Sequence, residues 1–292
     1  MLEVKHRLDN AHDCEIWALA HKGDRIATGS VDGKVKIWTA DLELKHEIVV
    51  SPLAILSMDI KGNQLLTSCM DSHIRIYDMN HGQLISDIDT GSVNAWQARF
   101  QPKTNNVGST GHSGHVNIYD VDTGKLVNTF KPNNPTFSTA LAFNNSGNLV
   151  ACCSKDGSVT LFDSNSTEKQ FEAHLMAIRS ASFSPDSAFL LTGGDDKHIN
   201  LFDTQTGTKV NSVSGHSSAV LCISVAPSGK HFATSGGDQK VKIWAYTDKG
   251  STECVATLSH HTGQVWGVAW GSNSDRLVSV GDDASIIVYK CL

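Results

Sequence analysis

The sequence predicts an all-β fold: a single seven-bladed β-propeller over residues 1–292, its ring closed by an N-terminal strand that completes the seventh blade. Three observations lead there. Short stretches of alternating apolar residues end in an aromatic at Trp38, Tyr77, Tyr119, Phe162, Phe202, Trp244 and Tyr289. They recur at roughly 40–45 residues, the length of a four-stranded blade. Six positions before each aromatic stands an aspartate, at Asp32, Asp71, Asp156, Asp196, Asp238 and Asp283, with Ser113 in the third repeat.

Each element follows from its residues. The aspartate and its neighbour form the hairpin turn between the second and third strands of a blade. Four positions earlier, on the second strand, come Thr28, Thr67, Thr192, Thr234 and Ser279, with Cys152 in the fourth repeat. In the sixth repeat the strands are expected near 219–225, 230–235, 240–246 and 252–258. The run from Ala219 to Val225 is apolar almost throughout, as a strand covered on both faces requires. The blades are expected at about 12–50, 51–90, 91–131, 134–172, 174–214, 216–259 and 261–292. The last strand, Ser285–Cys291, has no successor, and Leu2–Leu8 alternates like a strand with no partner. Joining the two removes free sheet edges.

Composition narrows the function classes. The chain carries 24 basic and 30 acidic residues, a formal net charge of −6, and no run of Lys and Arg exceeds two. No basic stripe for nucleic acid is therefore present, and direct nucleic-acid binding is not expected. The N-terminus has no apolar signal region, and no apolar run is long enough for a membrane span. The 7 cysteines are scattered without a CxxC pair, which reads as reduced thiols of an intracellular protein.

A histidine lies about twenty residues before the aspartate in the first, fifth, sixth and seventh repeats, at His12, His174, His216 and His261. With the hydroxyl, the aspartate and the aromatic, it gives the sets His12/Thr28/Asp32/Trp38 and His216/Thr234/Asp238/Trp244. His174/Thr192/Asp196 and His261/Ser279/Asp283 follow, with Phe202 and Tyr289 in the tryptophan position. This pattern, spread over the whole chain, resembles the structural tetrad of the WD-repeat family. The resemblance implies a hydrogen-bonded chain inside each blade, and buried carboxylates and imidazoles need such partners. The repeats without the histidine are expected to lean on apolar packing.

Other chemistry is weaker. His261, Ser279 and Asp283 are the residue types of a catalytic triad, but the same trio recurs in other repeats, which a catalytic site does not do. No GxSxG, HExxH, CxxC or P-loop occurs, so no enzyme activity, cofactor or metal is expected.

In WD-repeat proteins, the resemblance implies, partners touch the residues three and five past the tetrad histidine and the one before the aspartate. By register the fifth-residue positions are Trp17, Leu56, Trp96, Thr139, Arg179, Leu221 and Trp266. The third-residue positions include Glu15, Asn94 and Phe137, and Met70, Asp195 and Asp282 precede aspartates. Aromatic anchors rimmed by charge form a binding patch; the alternative is that the indoles pack between blades.

Finally, AHDCEIWALA, SHIRIYD, AIRSASFSPDSAFLLTGGDD and LVSVGDDASIIVY are similar to the superkiller-complex branch of the family. That resemblance implies a monomeric propeller that joins a tetratricopeptide-repeat scaffold to a helicase in exosome-mediated mRNA decay. It implies a further place in the polymerase-associated elongation complex, and hence cytoplasm and nucleus. A ubiquitin-ligase substrate receptor is the rival assembly.

Overall fold

The computed structural model describes residues 2–91, 95–246 and 251–291. These form 28 strands, β1 to β28 in chain order, and no helix is assigned among the described residues. The strands make seven separate four-stranded antiparallel sheets. Six blades are consecutive in sequence, over 16–49, 55–89, 97–130, 138–172, 178–214 and 220–258. The seventh joins residues 265–291 to β1 (Leu2–Leu8).

The ring closes through β1 and β28 (Ile286–Cys291), paired from Leu2 opposite Cys291 to Leu8 opposite Ile286. One extra residue sits between Val4 and His6, across from Tyr289 and Val288. The outer strand of blade 1 carries the same irregularity opposite Ile37 and Trp38, so β1 reproduces the pairing of an ordinary outer strand.

The aspartate turns share one backbone requirement. Asp32, Asp71, Asp156, Asp196, Asp238 and Asp283 each accept a bond from the backbone N–H two residues on, and Ser113 does the same through its hydroxyl. The intervening residue is left-handed in all seven: Gly33, Gly114 and Gly157, and also Ser72, Lys197, Gln239 and Ala284. A side chain at Gly33 would meet both that conformation and the Ser51 carbonyl oxygen, 1.8 Å from its Cβ. The non-glycine turns carry a cost of about 1–2 kcal/mol each.

The core is a ring of seams. Ala18, Val35 and Ile37 of blade 1 pack against Ile55, Met58 and Leu65 of blade 2, and comparable clusters fill the other seams. Second strands have blades on both sides and are buried after their first residue, as in Ile26–Ser30. Around the channel, side chains tie one innermost strand to the next. Ser57 Oγ accepts from Ala98 N at 2.9 Å, Asp59 Oδ2 from Phe100 N at 2.9 Å, Ser180 Oγ from Ile223 N at 3.0 Å and Ser224 Oγ from Trp270 N at 3.1 Å. Gln97 Oε1 accepts from Leu141 N in the same way. These bonds cross between sheets that share no strand pairing.

Candidate functional site

In blade 6 the four expected side chains form a continuous chain. Trp244 Nε1 donates to Thr234 Oγ1 at 2.9 Å, the hydroxyl meets His216 Nε2 at 2.8 Å, and His216 Nδ1 meets Asp238 Oδ1 at 2.8 Å. Proton roles follow from chemistry: a carboxylate only accepts, so Nδ1 carries the hydrogen, and the neutral ring then accepts from Thr234 at Nε2. The backbone N–H of Ser217 closes the set on Asp238 Oδ2 at 3.0 Å. Burial would raise the Asp238 carboxyl, but the His216 hydrogen bond and backbone donors bring it below its usual value. Burial also lowers His216, against the pull of Asp238.

Blades 5 and 7 keep the inner part. His174 bridges Thr192 at 2.9 Å and Asp196 at 2.8 Å; His261 bridges Ser279 at 2.7 Å and Asp283 at 3.0 Å. Phe202 offers no donor, and Tyr289 reaches Ser279 only at 3.5 Å. The connectivity of blade 7 is that of a serine-histidine-acid triad, yet Ser279 is 0% exposed. No substrate carbonyl reaches that hydroxyl. No group of three or more His, Cys, Asp or Glu placed to hold a metal occurs among the described residues.

Blade 1 corrects the expectation of a complete set. Trp38 Nε1 reaches Thr28 Oγ1 at 2.9 Å and Thr28 meets His12 Nε2 at 2.7 Å, but the chain stops there. His12 Nδ1 and Asp32 Oδ2 are both buried without a hydrogen-bond partner. The cause is spacing. Asp196 lies 22 positions after His174, as Asp238 does after His216; Asp32 lies two fewer after His12. Burial, with Lys36 beside the ring, holds His12 down to about 4. Blade 2 has an ionic substitute that spacing alone did not reveal: Arg75 Nη1 holds Asp71 Oδ2 at 2.8 Å.

The fifth-residue positions acquire their orientation from a backbone irregularity. In six blades the pairing of first and second strands skips one residue, between Ile16 and Ala18, Ile55 and Ser57, Ser138 and Ala140, Ile178 and Ser180, Val220 and Cys222, and Val265 and Gly267. The residues skipped are Trp17, Leu56, Thr139, Arg179, Leu221 and Trp266. A bulge bends the strand and re-aims the unpaired side chain. Together with Trp96, these residues line a cavity of about 240 Å³ at the channel mouth.

The three indoles are half-buried, neither core nor free. Trp17 and Trp266 meet with ring centroids 5.5 Å apart, and Trp96 meets Phe137 edge-on at 5.2 Å. Trp266 Nε1 donates to Asp282 Oδ1 at 2.6 Å. Burial pushes the Asp282 carboxyl up; the neighbouring charges of Glu15 and Asp283 add to it, against the indole hydrogen bond. Arg179 grips Asp195 with both arms, Nε to Oδ1 and Nη2 to Oδ2, each at 2.7 Å. Met70 is 50% exposed beside a small apolar pocket lined by Leu56, Cys69 and Trp96. Asn94 lies outside the described residues.

Comparison with known proteins decides the family. The pattern described as "WD domain, G-beta repeat" matches residues 3–39, 124–163, 165–203, 207–245 and 252–290. The chain belongs to the WD-repeat family. WD repeat-containing protein SL1-17 of Schistosoma mansoni is 30% identical over 100% of both chains. WD repeat-containing protein VIP3 of Arabidopsis thaliana is 31% identical over 78% of each, and WD repeat-containing protein 1-B of Xenopus laevis is 28% identical over 89% of this chain and 43% of its own length.

The stretch 40–123 that the WD-repeat pattern leaves out holds blade 2 and most of blade 3, two of the three blades without a tetrad histidine, and both fold as four-stranded sheets like the rest. Register within the repeat also missed three exposed apolar residues. Leu175 is 93% exposed, Met176 52% and Leu53 45%, all in loops leading into first strands. The signal was present: these loops follow the tetrad histidine position, where polar residues stand in the sixth and seventh repeats.

Proposed function

We propose that this WD-repeat chain is a non-catalytic protein-interaction scaffold whose channel-mouth face holds an extended segment of a larger partner. The carrying observation is that bulges deliver Trp17 and Trp266 to one cavity mouth, where Trp96 joins them, all three partly solvent-accessible. Half-buried aromatics with an adjacent apolar pocket are the anchors that dominate interface energy. Leu56, Met70 and Phe137 extend the apolar arc, while Glu15, Asp195, Asp282 and Arg179 supply charge at its other side.

The assembly best supported by the sequence is of the superkiller type, with a tetratricopeptide-repeat scaffold and a helicase as neighbours. Its support is the likeness of the strings quoted above; the relatives named are WD-repeat proteins whose names state no complex. Affinity capture of the tagged chain from its source cells, with mass spectrometry of the retained proteins, tests this reading. Helicase and tetratricopeptide-repeat subunits should be recovered with the wild type and depleted with Trp266→Ala. Recovery of a cullin adaptor instead would overturn the assembly, and undiminished capture by Trp266→Ala the docking face.

A further inference from the structure

Blades 5 and 7 solve the same position on the channel-mouth face, the top face of the ring, in different ways. In blade 5 the bulge residue is Arg179 and the residue before the tetrad aspartate is Asp195, and the two form a two-armed ion pair. In blade 7 the bulge residue is Trp266 and the matching acid is Asp282. There the indole N–H occupies one carboxylate oxygen, and no basic side chain pairs with Asp282 or with neighbouring Glu15 among the described residues. Asp282 therefore stands against the indole of Trp266, which pairs with Trp17, and neither it nor its neighbour Glu15 has a basic partner among the described residues.

We infer that this acidic and aromatic surface receives an arginine side chain supplied in trans by the bound partner, in the role that Arg179 fills in cis on blade 5. The inference rests on the top-face reading above and names the chemistry of one residue in the bound segment. Charge complementarity selects a cation, and a cation over an indole face gains further attraction. The choice of arginine over lysine follows from shape: a planar guanidinium stacks on an indole and presents paired donors to a carboxylate, as Arg179 does to Asp195, whereas an ammonium is a point charge.

The probe is the peptide acetyl-Gly-Arg-Gly-amide, with lysine and glutamine counterparts, titrated into the full chain. The readout is the indole N–H resonance of Trp266, assigned by its disappearance in Trp266→Phe. The arginine peptide should shift that resonance saturably, the lysine peptide more weakly and the glutamine peptide not at all, while the Trp96 indole stays in place. Asp282→Asn should weaken the response about tenfold, the loss of a charge-assisted contact. Glu15→Gln should weaken it less, and Asp195→Asn should leave it unchanged. Melting temperatures of all variants identify any that fail to fold, and Glu15→Gln, on an exposed side chain, keeps the test available. No saturable shift, or an unaltered response in Asp282→Asn, overturns the site. Equal responses to arginine and lysine overturn the arginine assignment. Capture of a partner through the top face without any peptide response would remove this inference and leave the docking face intact.

Discussion

Asp32 and Asp238 occupy the same register position and have different partners. Asp238 takes His216 and the Ser217 backbone, whereas one oxygen of Asp32 is buried without a bond. Removing a partner from a satisfied buried set costs more than removing a group that is already unsatisfied. Asp238→Ala should therefore lower stability by about 2–3 kcal/mol and Asp32→Ala by less than about 1 kcal/mol. Denaturant unfolding of both variants measures the difference; equal losses would mean that blade 1 has a complete chain. The residue types of both sets were legible in the sequence. The two-residue difference in histidine spacing was legible too, but its consequence depends on how far the loop reaches. Arg75 was not legible as a substitute, because its position holds Lys36, Asn117, Thr160 and Asn200 in other blades and only geometry brings it to Asp71.

The strands show the same division at the scale of elements. Aspartate turns, with Ser113 in the third repeat, and alternating apolar residues pointed to seven blades and to the pairing of the N-terminal strand with the last one. The bulges that aim Trp17, Arg179 and Trp266 left no mark of their own, since a skipped pair is a property of two strands in register and no residue type encodes it. Closure has a direct consequence. Deleting residues 2–8 exposes the edge of Ile286–Cys291 and leaves blade 7 with three strands. The truncated chain should aggregate or lose its single cooperative unfolding transition. A soluble chain of wild-type melting temperature would show that closure through β1 does not stabilise the ring.

Over the whole molecule, the buried histidines link stability to pH. Burial lowers His12, His174 and His216 below the unfolded value of about 6.5. Unfolding lets each bind a proton that the folded ring resists, so their contribution is complete above about pH 6.5 and falls as the pH drops towards their folded values. Each histidine contributes a slope of at most about 1.4 kcal/mol per pH unit. Asp196, Asp238 and Asp283 are held below their usual value, against burial, by their histidines and neighbouring donors. Their contribution is present above about pH 4 and is lost as the pH falls through their folded values. The melting temperature should be level above pH 7, decline from about 6.5 and decline further below about 4. A level melting temperature from pH 7 to 5 would contradict neutral, buried tetrad histidines.

The proposed docking face is tested at the same scale. A ring of indoles at the channel mouth is useful only if partners arrive there and not at the outer rim. Titration calorimetry of a purified tetratricopeptide-repeat subunit against wild type, Trp266→Ala and Lys209→Glu compares the two faces directly. Lys209 lies on an outer strand over Phe202, away from the mouth. Trp266→Ala should fold, keep a melting temperature close to wild type and lose about 2–4 kcal/mol of binding, while Lys209→Glu binds as wild type does. A folded Trp266→Ala with undiminished affinity would contradict the account.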